Sequence, residues 1–200
     1  MSWGGAIGRR VVVDPPRIEG SMHPRPSACA EGSYAPAMLA IGQPAPDFSL
    51  VDDTGATVTL GSLLAAGPVV LYFYPADFTP VCTAQACMFR DWTQELAAVG
   101  VRVVGISPQG AASKQKFKDK HTLGFTLLAD PEKKVIRAYG AAFLLGLFTR
   151  RVTYLIEPAP GGGVIADRVV ADLSVGPHRA FVERVVKRAV GQGSSGAVGQ

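Results

Sequence analysis

Residues 69–75, VVLYFYP, form a continuous apolar run of strand length. A strand with one face in water alternates apolar and polar residues, so an unbroken apolar run predicts a strand buried on both faces. Two further runs of this kind are VRVVGIS at 101–107 and FTLLAD at 125–130. Strands of this type need a layer of helices on each side, which constrains the chain to a layered α/β domain.

The segments around these runs supply the remaining elements. The turn DDTG between two short apolar segments predicts an N-terminal β-hairpin, and PAPGGG predicts the connection between a late pair of strands. The order of elements predicts a three-layer α/β fold with a mixed central sheet. The predicted hairpin strands are 47–52 and 57–60, the late strands are 151–157 and 163–171, and the helices are 80–98, 111–121, 131–140 and 177–190.

The ends of the chain differ from this domain in composition. Residues 1–37 are rich in Pro, Gly, Ser and Arg without periodicity, and we interpret them as a disordered extension. A transit peptide or an over-long start assignment are alternatives for this segment. Residues 191–200, GQGSSGAVGQ, are interpreted as a flexible tail, which leaves one domain at 38–190.

Composition excludes several classes of function. A net charge of +4 in 200 residues argues against a nucleic-acid-binding protein, and the lysines at 114, 116, 118 and 120 are interpreted as a solvated helix face. The longest apolar run, AAFLLGLF at 141–148, is too short to span a membrane. Three cysteines are too few for a disulfide-stapled secreted fold, so we expect a cytoplasmic protein.

Two of the three cysteines, Cys82 and Cys87, lie close together after the first apolar run. Thr79 suits the N-cap of the following helix and Pro80 its first position, which places Cys82 in the first turn. Unpaired N–H groups and the positive end of the helix dipole favour a thiolate there. Cys82 is therefore a candidate nucleophile, and a small core residue is the alternative.

The spacing of the two cysteines restricts what they can do. Five residues along an α-helix separate their Cα atoms by about 8.6 Å, whereas a disulfide needs less than about 7 Å. A bond between them therefore requires the first turns to unwind. No metal site is expected, because Cys29, His23, His121 and His178 do not have the spacing of zinc ligands.

The segment FYPADFTPVCTAQAC at 73–87 resembles the active-site segment of peroxiredoxins, P-x-x-x-T-x-x-C, here Pro75, Thr79 and Cys82. Its C-x-x-x-x-C spacing is similar to that of the PrxQ, or bacterioferritin comigratory protein, subfamily. The resemblance extends over most of the domain, through IGQPAPDFSLVDDTG, ELAAVGVRVVGIS, FTLLAD and RVTYLIE.

The resemblance implies a thioredoxin-like fold and the reduction of hydrogen peroxide and organic hydroperoxides in antioxidant defence. Cys82 would be the peroxidatic cysteine, oxidised to a sulfenic acid, and Cys87 the resolving cysteine of an intramolecular disulfide. Thr79 would orient the peroxide and Pro75 would shield the thiolate. Thioredoxin or a similar dithiol protein would be the reductant, with no cofactor. A peroxide-sensing relay that passes its disulfide to a partner is the alternative function.

The family arginine falls on Arg151, where it would stabilise the thiolate and the charge on the peroxide oxygens. The adjacent Arg150 should point to the opposite face of its strand, so only one of them can serve. Residues 141–149, AAFLLGLFT, are more apolar than is usual in the family. We expect a helix packed on the core there, with a hydrophobic collar for bulky hydroperoxides or a dimer patch as alternatives. A monomer is expected, with a weak dimer as the alternative.

Overall fold

The computed structural model describes residues 37–193 and Met1. Nearly all of the predicted disordered extension, including Cys29, lies outside these residues, and so do residues 194–200 of the predicted flexible tail. The described strands are β1 Pro44–Ala45, β2 Ser49–Asp52, β3 Thr57–Thr59, β4 Val69–Phe73, β5 Arg102–Ser107, β6 Thr126–Ala129, β7 Ala142–Phe143, β8 Phe148–Thr149, β9 Val152–Ala159 and β10 Gly162–Val170. The described helices are α1 Leu60–Leu64, α2 Pro80–Asp91, α3 Thr93–Ala98, α4 Ala111–His121, α5 Lys134–Ala138 and α6 Gly176–Gly193.

Eight strands form one mixed sheet in the order β1-β10-β9-β4-β5-β6-β2-β3. The three apolar runs become β4, β5 and β6, which pair in parallel at the centre, while β9 and β2 run antiparallel to them. The predicted N-terminal hairpin is confirmed, with Leu50 of β2 opposite Val58 of β3.

Both faces of the sheet are covered, as the apolar runs predicted. Side chains of β4 alternate between two cores: Leu71 and Phe73 pack with α1 and α5, and Tyr72 packs with α2, α4 and α6. The five residues of β4 are fully buried. The three-layer α/β prediction is therefore confirmed.

The strand directions place the ends of β4 and β5 and the start of β9 at one edge of the sheet. Phe73, the last residue of β4, pairs with Val152, the first residue of β9, and also with Ile106 of β5. The loop that leaves β4 toward α2 therefore lies beside the residues preceding β9 and those following β5. Sites in open α/β sheets form at the carboxyl ends of parallel strands.

The predicted helix 80–98 is interrupted at Trp92, which has φ −99° and ψ 3°. The Thr93 hydroxyl donates to the Phe89 carbonyl at 2.9 Å, and the Trp92 N–H is shared between the Met88 and Phe89 carbonyls. Competition of this kind between a side chain and the helical ladder bends or breaks helices.

Two further helix boundaries differ from prediction. Helix α5 begins at Lys134 rather than Pro131, because the Asp130 carboxylate accepts the N–H groups of Lys134 and Ile136 at 3.0 and 2.8 Å. Helix α6 continues to Gly193, three residues past the predicted end at 190. Val190, in this last part of the helix, is 60% exposed.

The prediction of a core-packed helix in residues 141–148 is wrong. The segment forms a separate β7–β8 hairpin, with Ala142 opposite Thr149 and Phe143 opposite Phe148. We call residues 141–149 the apolar hairpin. A short apolar run is ambiguous between helix and strand, and here Gly146 at φ 86° allows a tight turn.

Candidate active site

Cys82 lies at the start of α2, where the sequence placed it. Thr79 is the N-cap in extended conformation, Pro80 is the first helical residue and Cys82 is the third. The N–H groups of Val81 and Cys82 have no intrahelical acceptor, and they lie at the positive end of the helix dipole. The site therefore presents hydrogen-bond donors to a negatively charged sulfur or oxygen.

Arg151, the residue immediately before β9, contacts Cys82. Its Nη2 lies 3.4 Å from Cys82 Sγ, and its Nη1 donates to Gln85 Oε1 at 2.5 Å. The side chain is held from behind, since Nε donates to the Asp172 carbonyl at 3.2 Å. A buried guanidinium, held by two hydrogen bonds, therefore faces the thiol.

Arg150 does not reach the thiol. Its guanidinium carbon lies 4.8 Å from the centre of the Phe143 ring, and its Nε lies 3.6 Å from Asp172 Oδ2. The prediction that only one of the two arginines can face Cys82 agrees with this placement, and the residue is Arg151.

Thr79 and Pro75 lie on the loop that connects β4 to α2. The Thr79 side chain is exposed and donates to the Ala76 carbonyl at 3.3 Å without capping α2. Its hydroxyl is therefore available as an acceptor beside the helix start. Pro75 is half-buried on the same loop.

Cys87 is half-buried on the same helix, five residues after Cys82, and both thiols are free. Helix α2 spans both residues without interruption. A regular helix holds their Cα atoms about 8.6 Å apart, beyond the range of a disulfide. The structure therefore corresponds to a dithiol state.

Sequence reasoning missed two residues that hold Arg151. Gln85 is fully buried, accepts from Arg151 through Oε1 and leaves its Nε2 without a partner among the described residues. Asp172 accepts the Arg151 N–H at 2.8 Å through Oδ1. The position of Gln85, three residues after Cys82 on one helix face, was a usable signal, whereas Asp172 had none.

Tyr72 lies beneath the thiols in the core. Its ring stacks on Phe89 with centres 4.5 Å apart, and a Cβ at Gly105 would come within 2.7 Å of its hydroxyl. Burial raises the pKa of Tyr72 well above its usual value, and the charges of Asp77 and Cys82 add to this. The hydroxyl stays neutral, and it has no hydrogen-bond partner among the described residues.

A buried ion pair lies under the loop that connects β4 to α2. Lys114 of α4, which is fully buried, places its Nζ 3.0 Å from Asp77 Oδ1. Asp77 also accepts from the Tyr74 hydroxyl at 2.7 Å and from the Ser113 hydroxyl at 2.6 Å. The Ser107 hydroxyl accepts a short hydrogen bond from Lys114 Nζ. We call Tyr74, Asp77, Ser107, Ser113 and Lys114 the buried polar network.

The interpretation of the lysines as one solvated face is therefore wrong for Lys114. Burial lowers the pKa of Lys114 from its usual value, and the Asp77 carboxylate opposes that shift. Lys118 also has a partner, since its Nζ lies 2.6 Å from Asp53 Oδ2. Lys116 and Lys120 are exposed, as predicted.

The buried polar network supports a strained residue. Phe78, between Asp77 and Thr79, has φ 62°, an unfavourable value for a residue with a Cβ. Its ring packs edge-on against Phe117 of α4, with centres 5.2 Å apart. Asp77 on one side and Phe117 on the other hold the loop that carries Thr79.

Access to the thiol is restricted, since Cys82 is only 1% exposed. The cavity of about 360 Å³ lined by Phe48, Leu50 and Val135 does not include Cys82. Phe78 and Thr79, on the loop just before α2, are exposed. Across residues 37–193, no cluster of three metal-ligating side chains occurs, and no helix is long and apolar enough to cross a membrane.

Comparisons with known proteins agree with this site. A family model described as the AhpC/TSA family matches residues 41–166. Peroxiredoxin Q, chloroplastic, from Oryza sativa subsp. japonica is 43% identical over 133 residues, which are 66% of this chain and 61% of the rice protein. The match thus spans less than two thirds of that relative's length.

Two solved structures are also similar. Peroxidoxin BcpB from Mycobacterium tuberculosis has a TM-score of 0.67 and 34% identity, covering 74% of this chain and 96% of the other. The bacterioferritin comigratory protein of Xanthomonas campestris has a TM-score of 0.63 and 25% identity, covering 70% and 90%. These likenesses confirm the thioredoxin-like fold and the resemblance to the PrxQ subfamily, and the chain belongs to the AhpC/TSA family of peroxiredoxins.

Proposed function

We propose that the protein is a thiol-dependent peroxidase that reduces hydrogen peroxide and organic hydroperoxides through Cys82. The observation that carries the proposal is the placement of Cys82 Sγ in the first turn of α2, 3.4 Å from Arg151 Nη2. A cation and unpaired N–H groups around one thiol are what a reactive thiolate requires. The Xanthomonas protein has alkyl peroxide reduction activity, which favours organic hydroperoxides among the substrates.

In the first step, the Cys82 thiolate attacks the terminal oxygen of the peroxide. The Sγ–O bond forms and the O–O bond breaks, so sulfur is oxidised and the peroxide is reduced. The departing hydroxide or alkoxide takes a proton from solvent and leaves as water or alcohol. Arg151 and the N–H groups of α2 would stabilise the charge that develops on the oxygens, and Thr79 would orient the peroxide. Pro75 would shield the thiolate from water.

In the second step, the Cys87 thiolate attacks the sulfur of the Cys82 sulfenic acid. An S–S bond forms, the S–O bond breaks and the hydroxide leaves as water after taking a proton. Because α2 keeps the two thiols too far apart, its first turns must unwind before this step. A dithiol protein, thioredoxin or a similar one, would then reduce the bond by thiol–disulfide exchange.

The compartment is a separate question. The plant relatives are named as chloroplastic proteins, which counts weakly against the predicted cytoplasmic location. A plastid location is the proposal that those names favour. A monomer remains our proposal for the oligomeric state.

The proposed function is tested by intact mass and a free-thiol count after one equivalent of hydrogen peroxide. A Cys29→Ser background leaves only the two thiols of α2. We expect this protein to lose both thiols to an internal bond, and the further variant Cys87→Ser to gain one oxygen on Cys82. Unreacted thiols in both proteins would overturn the proposal. If the protein reduces one equivalent of peroxide but a thioredoxin system supports no further turnover, the relay function is favoured instead.

A further inference from the structure

The tip of the apolar hairpin is exposed. Leu145 is 95% exposed and Leu147 is 69% exposed, and three further large side chains of the hairpin are about half exposed, those of Phe143, Leu144 and Phe148. A contiguous apolar patch of this kind on a soluble domain marks an interaction surface.

The backbone of this tip is unfavourable for the residues that occupy it. The Leu147 N–H donates to the Leu144 carbonyl at 3.0 Å and closes a turn whose central residues, Leu145 and Gly146, have φ 54° and 86°. Such a turn favours Asn followed by Gly. Leu145 is thus unfavourable in backbone conformation and in exposure, and it gains no burial within the domain.

Cations are fixed beside the tip. Lys133 Nζ donates to the Gly146 and Leu147 carbonyls at 2.9 and 2.8 Å, so this ammonium group lies directly against the turn. Arg150 stacks on Phe143 at the base of the hairpin. Lys133 is the N-cap residue of α5, and Arg137 is exposed on that helix four residues later.

The hairpin also lies close to the thiol along the chain. The Arg150 N–H donates to the Ala141 carbonyl at 2.7 Å and closes the base of the hairpin. Arg151, which contacts Cys82, follows Phe148 by three residues, a span of at most about 11 Å. Leu145 at the tip precedes Arg151 by six residues, so the tip lies at most about 22 Å along the chain from the residue that contacts Cys82.

We propose that the apolar hairpin inserts into the surface of an anionic lipid bilayer and presents peroxidised acyl chains to Cys82. Leucine and phenylalanine at the tip would enter the boundary between headgroups and acyl chains, and Lys133 and Arg137 would meet anionic headgroups. This inference rests on the proposed peroxidase function and extends its substrate class to lipid hydroperoxides within membranes.

A bilayer fits this surface better than a second copy of the chain. Two tips meeting face to face would bring Lys133 and Arg137 of one molecule toward the same cations of the other. An anionic surface turns the same charges into an attraction that salt weakens. A narrow protruding turn is also suited to insertion, whereas stable dimers bury about 800 Å² on each partner.

The test measures flotation of the full chain with vesicles of phosphatidylcholine, with and without phosphatidylglycerol. The variant Leu145→Asn/Leu147→Ser removes two apolar tip side chains and keeps a residue that suits the turn. The matched control is Val190→Ser, at a residue of α6 that is similarly exposed. Its neighbour Arg188 forms an ion pair with Glu157, which lies toward the end of β9 that is far from Arg151. Arg137→Gln tests the charge contribution.

We expect the wild type and Val190→Ser to float with the anionic vesicles, and added salt to release them. The double tip variant should partition at least about tenfold less, because each buried leucine contributes at least about a tenfold change in partition. Arg137→Gln should reduce binding to anionic vesicles only. The double variant should also lose turnover of phosphatidylcholine hydroperoxide in vesicles while retaining turnover of hydrogen peroxide.

Two outcomes would overturn the inference. In the first, the wild type stays unbound with both vesicle types. In the second, the only difference between the tip variant and the wild type is in the concentration dependence of the mass measured by sedimentation. That result would identify a second copy of the chain as the partner that covers the tip. Failure of the peroxidase function would appear separately, as thiols that hydrogen peroxide leaves unreacted in a protein that still floats.

Discussion

The buried polar network and the apolar hairpin flank the same thiol with opposite chemistry. Under the loop before α2, a lysine and an aspartate are excluded from water, and on the hairpin, leucines and phenylalanines are exposed to it. Apolar residues with positive φ occur at both regions: Phe78 follows Asp77 of the network, and Leu144 and Leu145 belong to the hairpin. Phe78 is supported by Asp77 and Phe117, whereas Leu145 packs against nothing in the core.

The difference indicates two kinds of task. Buried charges with fully satisfied hydrogen bonds fix one conformation, because any other arrangement leaves a charge unpaired in the core. An exposed apolar turn adds little to folding and is available for binding. The network therefore positions the catalytic loop, and the hairpin faces outward. Substitutions in the two regions should separate these tasks, and the largest effect is expected in the network.

Breaking the buried ion pair should destabilise the fold most. Lys114→Met leaves the Asp77 carboxylate buried without its cation, which we expect to lower the free energy of unfolding by about 3–5 kcal/mol. Urea unfolding measures this effect. Lys116→Met, exposed on the same helix, is the matched control and should change stability by less than about 0.5 kcal/mol.

A second variant separates charge from packing. Lys114→Met/Asp77→Leu removes both charges, and it should recover part of the lost stability, because an apolar pair of similar size can replace a buried ion pair. The recovery should be incomplete, because the Tyr74 and Ser113 hydroxyls lose their acceptor. If Lys114→Met alone is as stable as the wild type, the network does not support the loop.

Arg151 connects the apolar hairpin to the thiol, since its backbone continues from the hairpin and its side chain reaches Cys82 Sγ. Arg151→Gln should slow the second-order oxidation of Cys82 by about 10²–10³-fold, as when one donor to a developing oxyanion is removed. Stopped-flow fluorescence or competition kinetics measure the rate. Arg150→Gln, without contact to Sγ, should remain within a few-fold of wild type, and an equal loss in both variants would contradict the assignment of Arg151.

His178 supports the loop that carries Asp172 behind Arg151. Its Nε2–H donates to the Ala171 carbonyl at 3.2 Å, so its Nδ1 accepts from the Thr153 hydroxyl at 2.9 Å. These two hydrogen bonds are ones that a neutral imidazole makes. Burial lowers the pKa of His178 to about 4, and nearby Arg151 contributes to the shift.

This shift predicts a pH dependence of stability. The unfolded chain binds a proton at His178 below about pH 6.5, but the folded chain does so only below about pH 4. The unfolding free energy should therefore fall as pH drops from about 6.5 to 4, by about 3 kcal/mol. Urea unfolding across this range should show a shallower dependence for His178→Gln, and identical slopes would show that His178 is not held neutral.

Sequence predicted the parts of this site that depend on local chemistry. Thr79, Pro80 and Cys82 specify a helix start through residues adjacent in the chain, and the apolar runs specify the central strands. Burial of Lys114 depends on Asp77, 37 positions earlier, so a pattern within α4 could not reveal it. The contacts of Arg151 with Asp172 and Gln85 are likewise long-range.

The prediction for the apolar hairpin failed for a related reason. Its residues have the composition of a buried helix, and composition normally predicts burial. What makes the segment a hairpin is the turn at Leu145 and Gly146, together with the two hydrogen bonds from Lys133, thirteen and fourteen positions away. A segment kept for binding rather than for folding is where sequence-based expectations of burial should fail.

The smallest predicted effect tests that explanation directly. Leu145→Asn places at the first central position of the turn the residue that this turn favours, before Gly146. We expect thermal unfolding to show a gain of about 1 kcal/mol, because Asn tolerates the left-handed conformation and Leu145 loses no buried contacts. Ala142→Asn, at a half-buried position of β7, is the control that should destabilise. A clear loss of stability in Leu145→Asn would mean that this leucine supports the fold, and the contrast between the two regions would then be wrong.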